Sequence, residues 1–346
     1  QLVGGQRRPS GPLGGREACI MTNTAFAAID IGSNSTNLLI VDANGVELVR
    51  EVNVTALGEG LAATGVLTAA AMSRTLAVIT QYSALVRQHA AQLAITGTAA
   101  CRMAANTADF FAQVHSITGV HPRLLSASDE ARLAWQGAVA SLPPIDGVTM
   151  VVDIGGASTE LTIGDTRDGG AVVRNSVSLP YGVVTHTEAE LHSDPPRAEE
   201  LANAISIMAD AVDNAVIEHP ALGEASRVVG VAGSIVTIAA VELGLRAYDA
   251  SRLHGMVLTR AAAEDVFRTL ATETFAQRVH NPGLALERAG VIVAGCCLLV
   301  AIMRRLHLDH IIVSTHNLLD GLVAEMRAGT TAAGNSSTGN IATGNA

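Results

Sequence analysis

A chain of 346 residues with 49% apolar and 16% charged residues has the length and the apolar content for two domains with sizeable cores. All 22 basic residues are arginine, and without a lysine a Walker-type phosphate loop, a Schiff base and a pyridoxal anchor are excluded. A net charge of −10 argues against a sequence-independent nucleic-acid binder.

Residues 1–21 are rich in Gly, Pro and Arg and hold no hydrophobic run, so they read as a flexible extension rather than an export signal, with Met21 fitting a natural start. Residues 25–55 predict a strand, a tight turn, a returning strand and a third strand. A long helix follows over 67–90, then a buried strand at 92–97, helices to about 117, a strand at 121–126 and a helix over 127–142. Pro143-Pro144 breaks the chain. The pattern then restarts, with strands at 148–153, 160–164 and 171–179. Helices follow near 185–191 and 196–218, then a strand, Gly turn and helix in RVVGVAGSIVTIAAVEL, helices near 260–270 and 286–307, a strand at 310–314 and a last helix. The low-complexity end, 328–346, predicts a disordered tail. The longest apolar run, 289–303, is too short for a membrane span and reads as a buried helix, so no membrane is expected. Cys19, Cys101, Cys296 and Cys297 have no CxxC spacing and read as reduced thiols of a cytoplasmic protein, Cys296 and Cys297 as core.

The stretch from Asp30 to Asp42, DIGSNSTNLLIVD, recurs from Asp153 to Asp165 as DIGGASTELTIGD, with eight of thirteen positions identical. An offset of 123 residues is too long for a solenoid repeat and reads as a duplicated domain. The glycines (Gly32; Gly155, Gly156) let backbone amides approach an anion, and Ser33, Ser35, Thr36, Ser158 and Thr159 add hydroxyls. Asp30 and Asp153 end their strands, where carboxylates would hold magnesium through water. Two such loops across a cleft would grip a phosphate chain from both sides. The copies differ at Asn37, which corresponds to Glu160, so the second loop carries an extra carboxylate. The first copy is therefore expected to hold phosphate and the second also the metal. His307 and His310 lie three apart, but no HExxH or Cys/His cluster accompanies them.

These motifs resemble, in order, those of the exopolyphosphatase/guanosine pentaphosphate phosphatase (Ppx/GppA) family of the acetate and sugar kinase/actin-like superfamily, over about residues 25–326. They are IDIGSNSTNLL, TGTAACRMAAN, LLSASDEARLAWQGA, VVDIGGASTEL, VGVAGSIVTIAA, RLHG, PGLALERAGVIVAGCCLL and VSTHNLLDG. The resemblance implies an α/β fold of two duplicated actin-like (ribonuclease H-like) domains with a phosphate-binding cleft between them. Domain I would span 22–143, with the helix at 316–327 packing back on it, and domain II 144–315. The implied activity is magnesium-dependent release of terminal phosphate from inorganic polyphosphate, with pppGpp as the alternative substrate. Manganese is a substitute metal, and potassium or another monovalent cation a further candidate. Glu130 would activate the water and Arg102 would contact the terminal phosphate. Asp153, Glu160 and Asp30 would bind metal. Gly32, Ser33, Asn34, Ser35, Thr36, Gly155, Gly156, Ala157, Ser158, Thr159, Gly233 and Ser234 would line the phosphate site, with Gly230 completing the cleft. A homodimer is implied as well. Three departures stand out: Ala157 for a glycine, Asp129 for the first of two glutamates, and no acid after the serine of VSTHNLLDG. An ATP-dependent kinase and a non-catalytic polyphosphate or alarmone sensor are the competing readings.

Overall fold

The computed structural model describes residues 24–143, 147–165 and 172–337, with side chains to residue 329. The expectations for residues 1–21 and for 338–346 fall outside the described residues.

The first unit opens with Phe26–Ile31 (β1), Ser35–Val41 (β2) and Glu47–Val54 (β3), an antiparallel meander. Leu61–Thr64 (α1), Ala69–Gln88 (α2), Gln92–Gly97 (β4), Ala99–Met103 (α3), Thr107–Thr118 (α4), Arg123–Leu124 (β5) and Ala127–Ala140 (α5) follow. The sheet order is β3-β2-β1-β4-β5, with β4 parallel to β1. β1 is apolar on both faces because helices cover both: α2 and α4 share one core with it, α5 and the C-terminal helix the other.

The second unit repeats this plan. Val148–Ile154 (β6), Thr159–Asp165 (β7) and Val172–Leu179 (β8) form the meander, followed by Val183–Glu190 (α6), Ala198–Glu218 (α7), Arg227–Val231 (β9) and Ala232–Glu242 (α8). Ala250–Leu253 (α9), Val257–Thr259 (β10), Arg260–Thr272 (α10), Phe275–Arg278 (α11), Ile292–Arg305 (α12), His310–Val313 (β11) and Leu318–Ser337 (α13) complete it. Its order is β10-β11-β9-β6-β7-β8. Taken from the meander end, β8-β7-β6-β9-β11 matches β3-β2-β1-β4-β5 strand for strand, the duplicated actin-like topology. The short edge strand β10 is an addition that three residues are too few to announce.

Two helices join the units. Trp135 of α5 is fully buried against the second sheet with Val151, Val229 and Val231, and donates its indole N–H to the Thr149 carbonyl at 3.0 Å. Leu133 and Ala134 of the same helix pack on the first sheet beside Leu318, Leu319 and Leu322 of α13. The two helices cross with backbones touching: a Cβ on Gly137 would stand 1.9 Å from the Asn317 carbonyl, and one on Gly321 2.1 Å from that of Leu133. The first turn of α5 therefore rests on a rigid element packed on both sheets.

Some sequence expectations need correction. The strand at 121–126 shrinks to Arg123–Leu124, because Ser126 turns away to cap α5, accepting the Asp129 N–H at 3.1 Å. The helix at 286–307 is split into a 3₁₀ turn at Leu286–Arg288 and α12. The helix ending near 327 continues to Ser337, so the first ten residues read as tail are helical; a packed helix propagates at one bond per residue. Cys101, Cys296 and Cys297 are buried, as core thiols should be. Among the described residues no helix is long and apolar enough to cross a membrane.

Candidate active site

β1 and β6 both end at an aspartate followed by a glycine turn, and the two turns are closed by the same bond. The Gly32 N–H donates to the Ser35 carbonyl and the Gly155 N–H to the Ser158 carbonyl, each at 3.0 Å. The repeat in sequence is thus a repeat in geometry. The loops also meet: a Cβ on Gly156 would lie 2.8 Å from both the Asn34 nitrogen and the Ser33 Cβ. Only glycine lets the second loop approach the first this closely.

Neither loop is free to drift. The Ser33 and Asn34 carbonyls accept from Gly58, Thr55 and Ala56. The Gly155 and Gly156 carbonyls accept from Val183 and Val184 at the start of α6, at 2.9 and 2.7 Å. These helix-terminal N–H groups would otherwise lack partners. Gly182 presses on the backbone of Gly156 and Ala157, where any Cβ would fall within 2.4 Å. Sequence reasoning missed Gly182 and α6 as the support of the second loop; the signal was the Pro180-Tyr181-Gly182 turn just before a helix.

Four carboxylates converge where the loops meet. Asp30 and Asp153 keep a strip of surface open to the cleft, yet protein surrounds them closely enough that burial pushes both carboxyls up to about 7. The charge of Glu130 adds to both shifts. Glu160 lies underneath, 4% exposed, and burial followed by repulsion from Glu130 and Asp153 raises it to about 8. Ser178 donates to it at 2.8 Å, and the Ser158 hydroxyl also bonds it. Glu130, in the first turn of α5, is likewise raised by burial, against the pull of Arg102. The Arg102 guanidinium on α3 donates to Glu130 at 2.5 Å and to the Leu125 carbonyl at 3.1 Å. Arg102 and Glu130, 28 residues apart, thus stand together at the mouth of the acidic cleft.

The hydroxyls divide differently from expectation. Thr36 and Thr159 are fully buried: Thr36 shares a hydrogen bond with Thr55 at 3.0 Å, and Thr159 donates to the Tyr181 carbonyl at 2.6 Å. The Ser33 hydroxyl accepts the Ala100 N–H at 3.1 Å and so anchors α3. Thr36 and Thr159 brace the loops rather than offering hydroxyls to a phosphate, whereas Ser33 spends an acceptor lone pair on α3 and keeps its O–H to donate. An inward-pointing strand position alternates with an outward one, and the turn puts both threonines inward. Ser35, Asn34, Ala157 and Ser158 stay on the loops themselves, as does the backbone of Gly32, Gly155 and Gly156.

The third glycine motif lies beside the acids on the β9 side. Ala232 takes a left-handed φ of 67°, a strained value for a residue with a side chain. A Cβ on the next residue, Gly233, would strike the Arg288 guanidinium at 2.0 Å. Arg288 is half-buried, its pKa lowered by desolvation, and among the described residues it makes no ion-pair contact. Arg288 lies in the PGLALERAGVIVAGCCLL motif, but its place over Gly233 was not legible, because 55 residues separate the two. Ser234 instead packs against Gly295 of α12, and Gly230 against Ile311 and Ile235, so both serve the core.

A divalent cation fits this donor set. Asp30 repels Asp153 and Asp153 repels Glu160, and the Asn37 Oδ1 beside Asp30 is buried without a hydrogen-bond donor. Among the described residues no three His, Cys, Asp or Glu side chains form a ready cage. The arrangement suits an ion that keeps waters and takes phosphate oxygens as ligands, as magnesium does.

On the other side of Asp153 a chamber of about 390 Å³ opens, lined by Arg102, Met103, Ser158, Tyr181, Ala62 and Ala189 among others. A depression of similar size under α2, lined by Ser83 and Arg87, touches none of these residues.

Comparison with known proteins agrees with this geometry. The family model described as the Ppx/GppA phosphatase family matches residues 39–328. Exopolyphosphatase 2 of Mycobacterium tuberculosis is 32% identical over 323 residues, which cover 88% of this chain and 99% of that protein. The guanosine-5'-triphosphate,3'-diphosphate pyrophosphatase of Vibrio cholerae is 28% identical over 312 residues, 88% of this chain and 60% of that longer protein. Among solved structures, an exopolyphosphatase-like protein superposes with a TM-score of 0.83 at 28% identity, over 89% of this chain and all of that one. The Aquifex aeolicus Ppx/GppA family member does so at 0.74 and 30% identity, over 88% and 98%. A family model covering most of the chain, relatives spanning nearly its whole length and a fold shared with solved members establish that this chain belongs to the Ppx/GppA phosphatase family.

Proposed function

We propose that the chain is an exopolyphosphatase that hydrolyses the terminal phosphoanhydride of inorganic polyphosphate. The observation that carries this reading is the Arg102–Glu130 pair set over two touching, duplicated glycine loops with three further carboxylates. The loop amides hold the terminal phosphate. Arg102 leaves Glu130 for the phosphate oxygens, where a bidentate guanidinium offsets the charge that develops. Glu130, freed from that ion pair and raised by burial, orients the attacking water and takes its proton. Asp153 and Glu160, with Asp30 opposite, would hold magnesium or manganese. When bound, the ion supplies positive charge against the phosphate oxygens. A monovalent cation such as potassium is a further proposed cofactor.

Hydrolysis of pppGpp by the same residues is the second reading, favoured by the similarity to the Vibrio cholerae protein. A cytoplasmic setting accords with three buried, unbridged cysteines. We also infer a homodimer, on the family resemblance alone.

Phosphate release from tripolyphosphate and longer chains, with magnesium and then with chelator, tests the reading. We expect release that needs the metal and falls by about a thousandfold in Glu130→Gln. No release at any chain length would sink it.

A further inference from the structure

The chamber beside Arg102 is far larger than hydrolysis needs. Its volume of about 390 Å³ would hold roughly a dozen waters, and its walls are mostly apolar: Ala62, Ala99, Met103, Pro180, Tyr181 and Ala189. Met103 is 51% exposed, a large apolar side chain turned toward open space. The lining cation is Arg102, which the terminal phosphate takes up, and Glu190 contributes a carboxylate. A polyphosphate tail would meet apolar wall and negative charge there, so the tail does not belong in the chamber.

Position says what does. In the second sheet β6, which ends at Asp153, lies between β9 and β7. Gly233 and the Arg288 guanidinium, which makes no ion-pair contact among the described residues, lie on the β9 side; Ser158, Ser178 and Tyr181 lie on the β7–β8 side. An anionic tail settles toward the Arg288 guanidinium. In-line displacement then brings the nucleophile from the opposite side, which is where the chamber opens, with Arg102 and Ser158 in its wall. Glu188 of α6 accepts the Gly60 N–H at 2.9 Å and so ties the two units together.

We propose that the chamber seats a neutral organic alcohol and that the protein transfers the terminal phosphoryl group to it as well as to water. The proposal rests on the phosphohydrolase reading above. The alcohol oxygen attacks the terminal phosphorus, and the bond from that phosphorus to its bridging oxygen breaks. The hydroxyl proton goes to the Glu130 carboxylate, and the shortened chain departs with the electron pair of the broken bond. The products are a phosphate monoester and a polyphosphate one unit shorter. Glu190 disfavours an anionic acceptor, and the apolar wall favours an alcohol with a hydrocarbon body.

The test uses tripolyphosphate and magnesium with 1,4-butanediol or cyclohexylmethanol, following monoester and free phosphate by ³¹P NMR. The expected ratio of ester to phosphate exceeds the mole ratio of alcohol to water by about tenfold or more, because a seated nucleophile has a high effective concentration. Lactate, an anionic alcohol, should give no such excess. Ala189→Phe and Ala62→Phe place a ring in the chamber from positions that are exposed and so tolerant of substitution. Each should return the ratio to the mole ratio while phosphate release stays within about threefold. Phosphate release with no excess ester in the wild type overturns the transfer proposal alone. An excess that both variants leave intact overturns the chamber as its seat. Absence of both products takes down the hydrolase reading and this one together.

Discussion

The two copies of the Asp-Ile-Gly loop share their turn bond but not their electrostatics. In each, the aspartate at the end of the first strand faces one residue across the hairpin: Asp30 pairs with Asn37, and Asp153 with Glu160. Asn37 donates to Asp30 and draws its carboxyl down against the effect of burial. Burial, with the charges of Glu130 and Asp30, lifts Asp153 to about 7, as high as Asp30, and burial with the charges of Glu130 and Asp153 lifts Glu160 to about 8. A single exchange at matched positions therefore gives one copy a lone raised carboxyl bonded to an amide and the other a pair of raised carboxyls, the larger demand for positive charge. Duplication supplied two equal halves, and one cross-strand partner made them unequal.

The largest effect should come from breaking the demanding half. Glu160→Gln removes the most strongly raised of these carboxylates, and turnover of tripolyphosphate should fall by about a thousandfold or more. The same variant should unfold at a higher temperature than the metal-free wild type, since it no longer buries that charge. Calorimetry beside the activity assay checks both; a lower melting temperature would contradict the repulsion.

The pH dependence of metal-free stability sharpens the same point. The folded Asp30 and Asp153 carboxyls lie at about 7 against 3.8, and Glu160 at about 8 against 4.5. Between about pH 4 and 8 the unfolded chain has already lost protons that the folded one retains. Stability should therefore fall as pH rises through that window. Denaturant melts from pH 5 to 8 should show the decline, and saturating magnesium should flatten it.

A smaller loss is expected where the loops touch. Gly156→Ala puts a methyl 2.8 Å from the Asn34 nitrogen, so the loops must part. An increase of about tenfold in the KM for tripolyphosphate, with a smaller change in kcat, would fit loss of grip. The smallest effects belong to the paired threonines. Thr36→Val and Thr159→Val should each cost about 1 kcal/mol of stability through a lost buried hydrogen bond. Phosphate release should remain within about threefold; a collapse of activity without loss of stability would return these hydroxyls to the phosphate.

Much of this was legible in the sequence, for identifiable reasons. The buried β1 and β6, the long helices and the twin turns follow from periodicity and glycine placement, and those are local signals. The pairing of Asn37 with Asp30 and Glu160 with Asp153 also follows from a tight hairpin. What escaped is what only distance in the chain creates. Arg288 over Gly233, the start of α6 beneath Gly155, and the crossing of Gly137 with Gly321 join segments tens to hundreds of residues apart. The destination of a hydroxyl also escaped. Serine and threonine in a glycine turn advertise phosphate binding, but Thr36 and Thr159 are consumed in holding Thr55, just past β3, and the Tyr181 turn.

The difference between the two loops can be measured by titrating magnesium into the wild type, Asn37→Glu and Glu160→Asn with tripolyphosphate absent, by calorimetry at pH 8. The account predicts that Glu160→Asn weakens magnesium binding by about tenfold or more, while Asn37→Glu leaves it within about threefold and mainly raises the KM for substrate. Equal weakening of magnesium binding in both variants would contradict it.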